Sequence, residues 1–399
     1  GLHKKIILPL LKLRNMGRTI VLVTLAAANT MLCYRLLFLG RGGRLCYFGP
    51  PIQAFEFFQL QGEDFADIYN LLDGEEAVAQ NWAKKFRRSP QYQRYVANHL
   101  SIGEQLQTTI APPPPTKRAS RWGQFLILSR RYSQLMLRDP VSLSLNLFTA
   151  PVGILLIRLA IRDQNPFADQ PSLPIASLAR QVLFVFTCAA LWVGLSSSLQ
   201  EIVRETVIYQ RERLVNLDIL SYLGSKLSVL SALAVVQTLL MTLVILISFA
   251  WPESNLISWP IGIGVTTWLT LLGCISLGLM VSAMVKNNAQ ASSALPIILL
   301  PQIIFSGILF KMEGLSRVFS WLMLSRWSIG AYGTLADVNQ LIPRPVQLPN
   351  GTTIAQSIQA SAAYEPTWEN LVLNWGMLLL HSLCHLGITW GLQKRKDIF

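Results

Sequence analysis

Of the 399 residues, 52% are hydrophobic and only 14% charged, whereas a soluble domain usually carries about a quarter charged residues. That balance excludes a disordered tail and an ordinary soluble enzyme. Thirty-four Lys and Arg against 21 Asp and Glu leave a formal charge of +13, which suits either a nucleic-acid partner or basic loops beside an anionic leaflet. Where the charges lie decides between the two. Cys33, Cys46, Cys188, Cys274 and Cys384 form no CxxC pair and no regular framework, so neither a disulfide scaffold nor a zinc ribbon is expected.

Gly1 opens the sequence with no initiator Met and no charged region ahead of an apolar stretch, so no secretory signal is visible and the chain reads as part of something longer. Residues 1–110 hold Glu56, Glu63, Asp64, Asp67, Asp73, Glu75 and Glu76, a concentration of charge that would be costly in lipid, and are read as a soluble, cytoplasmic unit. Within it Ile6–Asn15 predicts a helix stopped at Gly17, and Thr19–Thr24 a buried strand of the parallel kind. Leu36–Leu39 and Arg44–Phe48 flank GRGG as a hairpin, and the double Pro at 50 and 51 starts a helix with a Phe-rich face over Ile52–Leu60. A linker over 111–119, containing Pro112–Pro115, closes the unit as a stiff spacer. Residues 120–140 then predict an amphipathic helix in which Trp122, Phe125, Leu128 and Tyr132 interleave with Arg121, Arg130 and Arg131. Such a helix suits the headgroup plane, packing on a soluble domain being the alternative.

Crossing about 30 Å of hydrocarbon takes roughly 20 helical residues. Six stretches qualify: about 141–161, 182–199, 227–251, 256–285, 289–310 and 371–392, with a non-cytoplasmic region over 311–370 between the last two. The third carries no charge at all. Arg158, close to the end of the first, is placed to snorkel to the interface, with a role in a pathway as the alternative. Lys117, Arg118, Arg121, Arg130, Arg131, Arg138, Arg204, Arg211, Arg213, Lys226, Lys286, Lys394, Arg395 and Lys396 fall on one side of these spans. Only Arg158, Arg162, Arg180, Lys311, Arg317, Arg326 and Arg344 fall on the other. The asymmetry predicts that both termini are cytoplasmic. It also turns the positive balance into a topology signal and removes the support for a nucleic-acid partner. Few charges lie within the spans, which argues against an ion-coupled carrier. His381 and His385 share a helix face near Cys384, a spacing that suits a metal, although hydrogen bonding between helices explains it with fewer requirements and no metal is expected.

The order of these parts resembles the ATP-binding-cassette (ABC) transporters of the type-2 exporter class, in particular the G-like subfamily, in which a nucleotide-binding domain precedes the permease. Gly17–Pro51 (GRTIVLVT…GRGGRLCYFGPP) is similar to that family's switch-loop strand and closing hairpin. Arg121–Pro140 (RWGQFLILSRRYSQLMLRDP) resembles its connecting helix, and Glu201–Lys226 its cytoplasmic coupling loop. Ile303–Phe310 (IIFSGILF), followed by Phe319–Leu335, resembles its fifth span and re-entrant helix.

The resemblance implies a mostly α protein: the carboxy-terminal part of an α/β nucleotide-binding domain, then a six-helix permease over 141–399. It implies an amino-terminally truncated half-transporter that works as a dimer, with a second copy or a homologous subunit, in the plasma membrane. ATP and Mg belong to the full-length parent. No GxxxxGK[ST] occurs in the sequence, so this chain alone is not expected to bind ATP productively, and the catalytic constellation is incomplete. Leu25 stands where the family places its switch His, and Leu neither donates nor accepts a hydrogen bond. Slow or partner-dependent hydrolysis and ordinary divergence in an active protein both remain open. Arg211, Glu212 and Arg213 are implied to couple the two domains. Ile308 and Leu309 take the valve position, with Phe305 and Trp192 on the wall of a pathway for a small hydrophobic or amphipathic substrate; for both aromatics simple packing is the alternative. Pro296 and Pro301 interrupt the fifth span. Asn350-Gly351-Thr352 fits a glycosylation acceptor. The alternatives in function are a six-span secondary carrier or channel and a transport-dead membrane scaffold.

Overall fold

The computed structural model describes residues 19–23, 31, 33–60, 64–74, 76–100, 120–162, 164–167, 170–252, 256–343 and 359–396. The chain divides into two compact units, Gly1–Thr116 and Lys117–Phe399.

In the first unit β1 (Leu36–Gly40) and β2 (Arg44–Gly49) pair antiparallel. Gly42 and Gly43 turn the chain between them at φ of +75° and +69°, a region that residues with a Cβ adopt only under strain. α1 (Pro51–Phe58) begins on a proline, whose missing N–H is harmless at the first helical position. α2 (Phe65–Leu72) is capped by the Asp64 side chain, which accepts from Ala66 N, and α3 (Glu76–Arg87) follows. Phe38, Tyr47, Phe57, Phe58 and Phe86 interlock between these elements, mostly edge-on or tilted. Strand alternation gives Phe38 to this core and leaves Leu37 and Leu39 on the other face, each 55% exposed.

The hairpin and the Phe-rich helix follow the sequence reading; the strand over Thr19–Thr24 does not. Residues 19–23 carry no strand, and Val21 and Val23 are almost fully exposed. A buried parallel strand needs flanking strands to complete its hydrogen bonds, and among the described residues β1 and β2 pair only with each other. The helix expected over Ile6–Asn15, Leu25, the linker 111–119 and the Asn350-Gly351-Thr352 site lie outside the described residues.

The second unit is all helical among its described residues. α4 (Arg121–Leu137) leads into α5 (Pro140–Ile161) and α6 (Leu173–Ser198), then into a short α7 (Thr206–Arg213). α8 (Ile219–Ser248), α9 (Trp259–Met284) and α10 (Asn288–Ile304) follow, then α11 (Leu315–Trp321), α12 (Leu324–Leu335) and α13 (Trp368–Lys396). Five helices among the described residues are long and apolar enough to cross a membrane: α5, the helix beginning at Leu173, α8, α9 and α13. The expected span over 289–310 is shorter. α10 has 17 residues, with Pro296 and Pro301 inside it, about 25 Å of rise, and ends at Ile304, after which the chain turns through Gly307 at φ +85°.

α9 sits at the centre, packed on α6, α8, α12 and α13. With no water in lipid, its polar groups must find protein partners. Thr270 donates to Ser328 at 2.8 Å, Ser328 meets Thr187 at 3.3 Å, Thr267 meets Tyr332 at 2.7 Å, and Trp375 Nε1 donates to Thr266 at 3.0 Å. These bonds tie α6, α9, α12 and α13 together. Arg158 Nη1 donates to the Gln164 carbonyl at 3.1 Å beyond the end of α5, consistent with an end-capping, snorkelling role.

α6 and α9 pack tightly where Gly278 faces Ser198: a Cβ on Gly278 would lie 2.0 Å from Ser198 Oγ. Gly278→Val is therefore expected to destabilise the second unit by about 1–3 kcal/mol through overpacking, measured as a lower thermal midpoint in detergent. An unchanged midpoint would show that the two helices separate freely.

Candidate functional site

The segment between α6 and α8 is built around one buried ammonium. After Ser198 the chain turns, and the Ser282 hydroxyl of α9 accepts from the backbone N–H groups of Ile202 and Val203 at 3.0 and 3.1 Å. That turn directs Glu201 and Glu205, four residues apart, towards Lys226 on the second turn of α8. Lys226 Nζ lies 3.2 Å from Glu201 Oε2 and 2.8 Å from Glu205 Oε2, with its side chain 2% exposed. Arg204 adds a bond to Glu201 at 3.1 Å, so two carboxylates meet two cations. The open side of the ammonium is covered by the Tyr132 ring of α4, whose centroid is 3.8 Å away, a cation–π contact in a desolvated setting. Burial first, then the Glu201 charge, push the Tyr132 phenol up, so it stays protonated at any physiological pH.

α4 is also stitched to the turn after α7. Arg131 Nη1 pairs with Glu212 of α7. Burial opposes the Arg131 charge, but the hydrogen bond and charge of Glu212 outweigh it and raise its pKa. Gln124 donates to the Asn216 carbonyl at 3.2 Å and accepts from Asp218 N at 2.9 Å. Asp218 caps α8 through Ser221 N at 3.0 Å and lies 3.5 Å from Arg121. Arg213 folds back to donate to the Leu217 carbonyl, whereas Arg211 and Arg130 are exposed. Glu212 and Arg213 are thus part of an intramolecular brace between α4, α7 and α8. The buried partners Glu201, Glu205, Lys226 and Tyr132 are not singled out by the sequence as a site. The available signal is the pair of carboxylates at positions i and i+4 and a lysine at the mouth of the next span, in a chain otherwise poor in charge.

The pathway residues fall in two places. Trp192 of α6, 49% exposed, borders a groove of about 340 Å³ with Ser196 and with Ser142, Asn146 and Thr149 on one face of α5. Phe305 follows α10 and packs on Phe319 of α11 with ring centroids 5.8 Å apart. Ile308 is half-buried and Leu309 exposed in the segment after it. On α13 the His381 and His385 rings are 6.1 Å apart, but their Nδ1 atoms face the Met377 carbonyl at 2.7 Å and Ser276 Oγ at 3.3 Å, and Cys384 is exposed. No group of three or more potential metal ligands occurs among the described residues.

Residues 123–334, more than half of the chain, match the ABC-2 type transporter family. The chain belongs to that family. The matched region of this ABC-2 type transporter runs from the first turn of α4 to the end of α12 and so contains the brace, the groove and α10. Its family and its long apolar helices make it a multi-pass membrane permease. A relative in Mycobacterium tuberculosis, described as an ABC transporter ATP-binding/permease protein, is 25% identical over 366 residues, which are 87% of this chain and 39% of the relative. The chain thus spans about two fifths of that relative's length.

Removing one partner from a buried ion pair leaves the other charge uncompensated, at a cost of about 3–5 kcal/mol. Lys226→Met alone is expected to lower the thermal midpoint sharply and raise protease sensitivity. Combining it with Glu201→Gln and Glu205→Gln is expected to restore much of the loss. A single variant as stable as the parent would show that the three groups are not coupled.

Proposed function

We propose that this chain is the permease portion, with the closing segment of a nucleotide-binding domain, of a G-like ABC half-transporter that dimerises. In this reading it moves a hydrophobic or amphipathic substrate across or out of the plasma membrane, and it does so at the expense of ATP and Mg held elsewhere in the full-length protein. The observation that carries the reading is the ionic brace of α4, α7 and α8 inside the matched permease region: a connecting helix, a short surface helix and a membrane helix are joined so that displacement of one displaces the others. The exposed Leu37 and Leu39 of β1, and a relative more than twice as long that is itself an ATP-binding/permease protein, support a nucleotide-binding role for the first unit. Arg211 is the exposed basic group on α7 left to engage that domain, beside Glu212 and Arg213.

The Lys and Arg asymmetry supports cytoplasmic termini, with α4 and α7 on the cytoplasmic face. α10, apolar and exposed at Ile297 and Leu300, serves as the sixth membrane segment, its shorter rise completed by Ile308 and Leu309 at the valve. The polar stripe of Ser142, Asn146 and Thr149 beside Trp192 faces outward from one chain, as a surface shared with a second copy or a homologous subunit would.

The decisive experiment reconstitutes the full-length transporter in vesicles with ATP and Mg and follows a fluorescent amphipathic probe. Arg131→Glu is expected to cut ATP-driven movement about tenfold, the equivalent of losing about 1.4 kcal/mol from a charge-assisted bond, while hydrolysis continues. The exchanged pair, Arg131→Glu with Glu212→Arg, is expected to restore it. Equal transport in parent, single and exchanged variants would sink the coupling role. Leu25 favours slow hydrolysis, because a leucine at the switch position holds no attacking water. Leu25→His in the same protein is expected to raise ATP turnover about tenfold, and no gain would remove that element.

A further inference from the structure

Three helix ends meet around a groove at one end of the permease: the start of α4, the start of α8 and the end of α13. The first two are fastened to each other, since Ser221 Oγ donates to the Arg121 carbonyl at 3.0 Å and Arg121 Nε lies 3.5 Å from Asp218 Oδ1. α13 packs along α8 and brings Trp390 and Lys394, one turn apart, to the same hollow. The groove measures about 430 Å³, within the roughly 300–1,000 Å³ of small-molecule sites.

Its walls have two characters. Arg121 of α4, Arg213 at the end of α7 and Lys394 of α13 supply cations from three separate elements. Asp218 is the carboxylate on the lining, and it is divided between Ser221 N at 3.0 Å and Arg121. A concave surface with an excess of one sign concentrates ions of the other. The remaining wall is apolar and open: Leu220 is 58% and Trp390 40% exposed. Lys394 Nζ stands over the Trp390 ring, 5.2 Å from its centroid. Seven residues before Trp390, two turns towards the apolar middle of α13 and on the same face, Leu383 is 67% exposed.

Basic residues at helix ends report by themselves only on orientation. The groove adds enclosure: cations from three elements converge on one hollow, with an indole at its lip and an apolar track leading away along α13. A phospholipid has the same order of chemistry, an anionic phosphodiester first and hydrocarbon beyond. Guanidinium and ammonium donors match its phosphate oxygens, and a Trp ring is suited to the headgroup boundary.

We propose that this groove seats the phosphodiester of an anionic phospholipid from the adjoining leaflet between Arg121, Arg213 and Lys394, with an acyl chain along Trp390 and Leu383. The inference rests on the membrane placement of the permease and on neither the direction nor the cargo of transport, so it stands or falls separately from the coupling role.

The test places the purified full-length protein in nanodiscs of equal parts phosphatidylcholine and phosphatidylglycerol and counts retained lipid by native mass spectrometry. Phosphatidylglycerol is expected to be retained over phosphatidylcholine. Lys394→Gln, at an exposed position outside the brace, is expected to cut that preference about fivefold, and Lys394→Gln with Arg121→Gln to cut it further. Arg395→Gln removes the same charge from the same turn of α13 but off the groove, and is expected to leave the preference unchanged, as is Asp397→Asn three residues beyond Lys394. Inorganic phosphate is expected not to displace the lipid. Retention without preference, an undiminished preference in Lys394→Gln, an equal loss in Arg395→Gln, or displacement by inorganic phosphate would each overturn the proposal. A gain in Asp397→Asn would overturn it too, because the chain's own carboxylate would then be the occupant. Circular dichroism unchanged from the parent confirms that a loss reports on binding; if the double variant unfolds, Lys394→Gln decides.

Discussion

A lysine ammonium buried at the mouth of a membrane helix must be neutralised where it stands. An isolated charge there would cost several kcal/mol, so Lys226 dictates the path of everything near it. Glu201 and Glu205 must turn inward, which requires the tight turn after α6 that Ser282 stabilises from α9. Tyr132 must cover the remaining side, which brings α4 against α8. The short α7 is then held by what surrounds it, through Arg131 and the Asp218 turn. The cluster is close to electrically neutral, so it fixes geometry while adding little net field at the membrane surface.

Beyond this brace, order in the permease comes from pairing polar groups inside an apolar bundle. The hydroxyls of Thr187, Thr267, Thr270 and Ser328, with Tyr332 and Trp375, bond across four helices. Hydrophobicity alone gives helices in lipid no preferred register. Close approach at Gly194 and Gly278 supplies it: a Cβ on Gly194 would lie 2.6 Å from Cys274 Cβ, so α6 and α9 mesh at two points along their length.

Much of this architecture was legible in the sequence, because a run of about 20 apolar residues has few other uses. The five long helices overlap the expected stretches, although α6 and α8 begin nine and eight residues before the expected 182 and 227, and the RGG hairpin and α4 follow their expected ranges. α10 was less legible, since hydropathy alone does not register the donor lost at Pro301 or the positive φ at Gly307. Glu212 and Arg213 were singled out for coupling between the two domains, and their partners within the chain, Arg131 and the Leu217 carbonyl, lie beyond what their spacing shows. The site around Lys226 draws on positions 132, 201, 205 and 226, and no local periodicity links residues so far apart.

α10 is fastened differently from its neighbours. It touches α6, α9 and α12 lightly. Gln302 pins it, accepting from Ser325 N at 3.0 Å through its side chain and from Ser325 Oγ through its carbonyl. Ala291, Leu299 and Gln302 turn inward while Ile297 and Leu300 stand clear. A helix held near its ends, by Gln302 and by Ser292, which accepts from Gln200 Nε2 at 2.8 Å, and carrying few core side chains can exchange its outward residues with little effect on folding. Variation there is buffered from the stability of the bundle, so whatever chemistry that face meets can drift over generations while the scaffold stays the same.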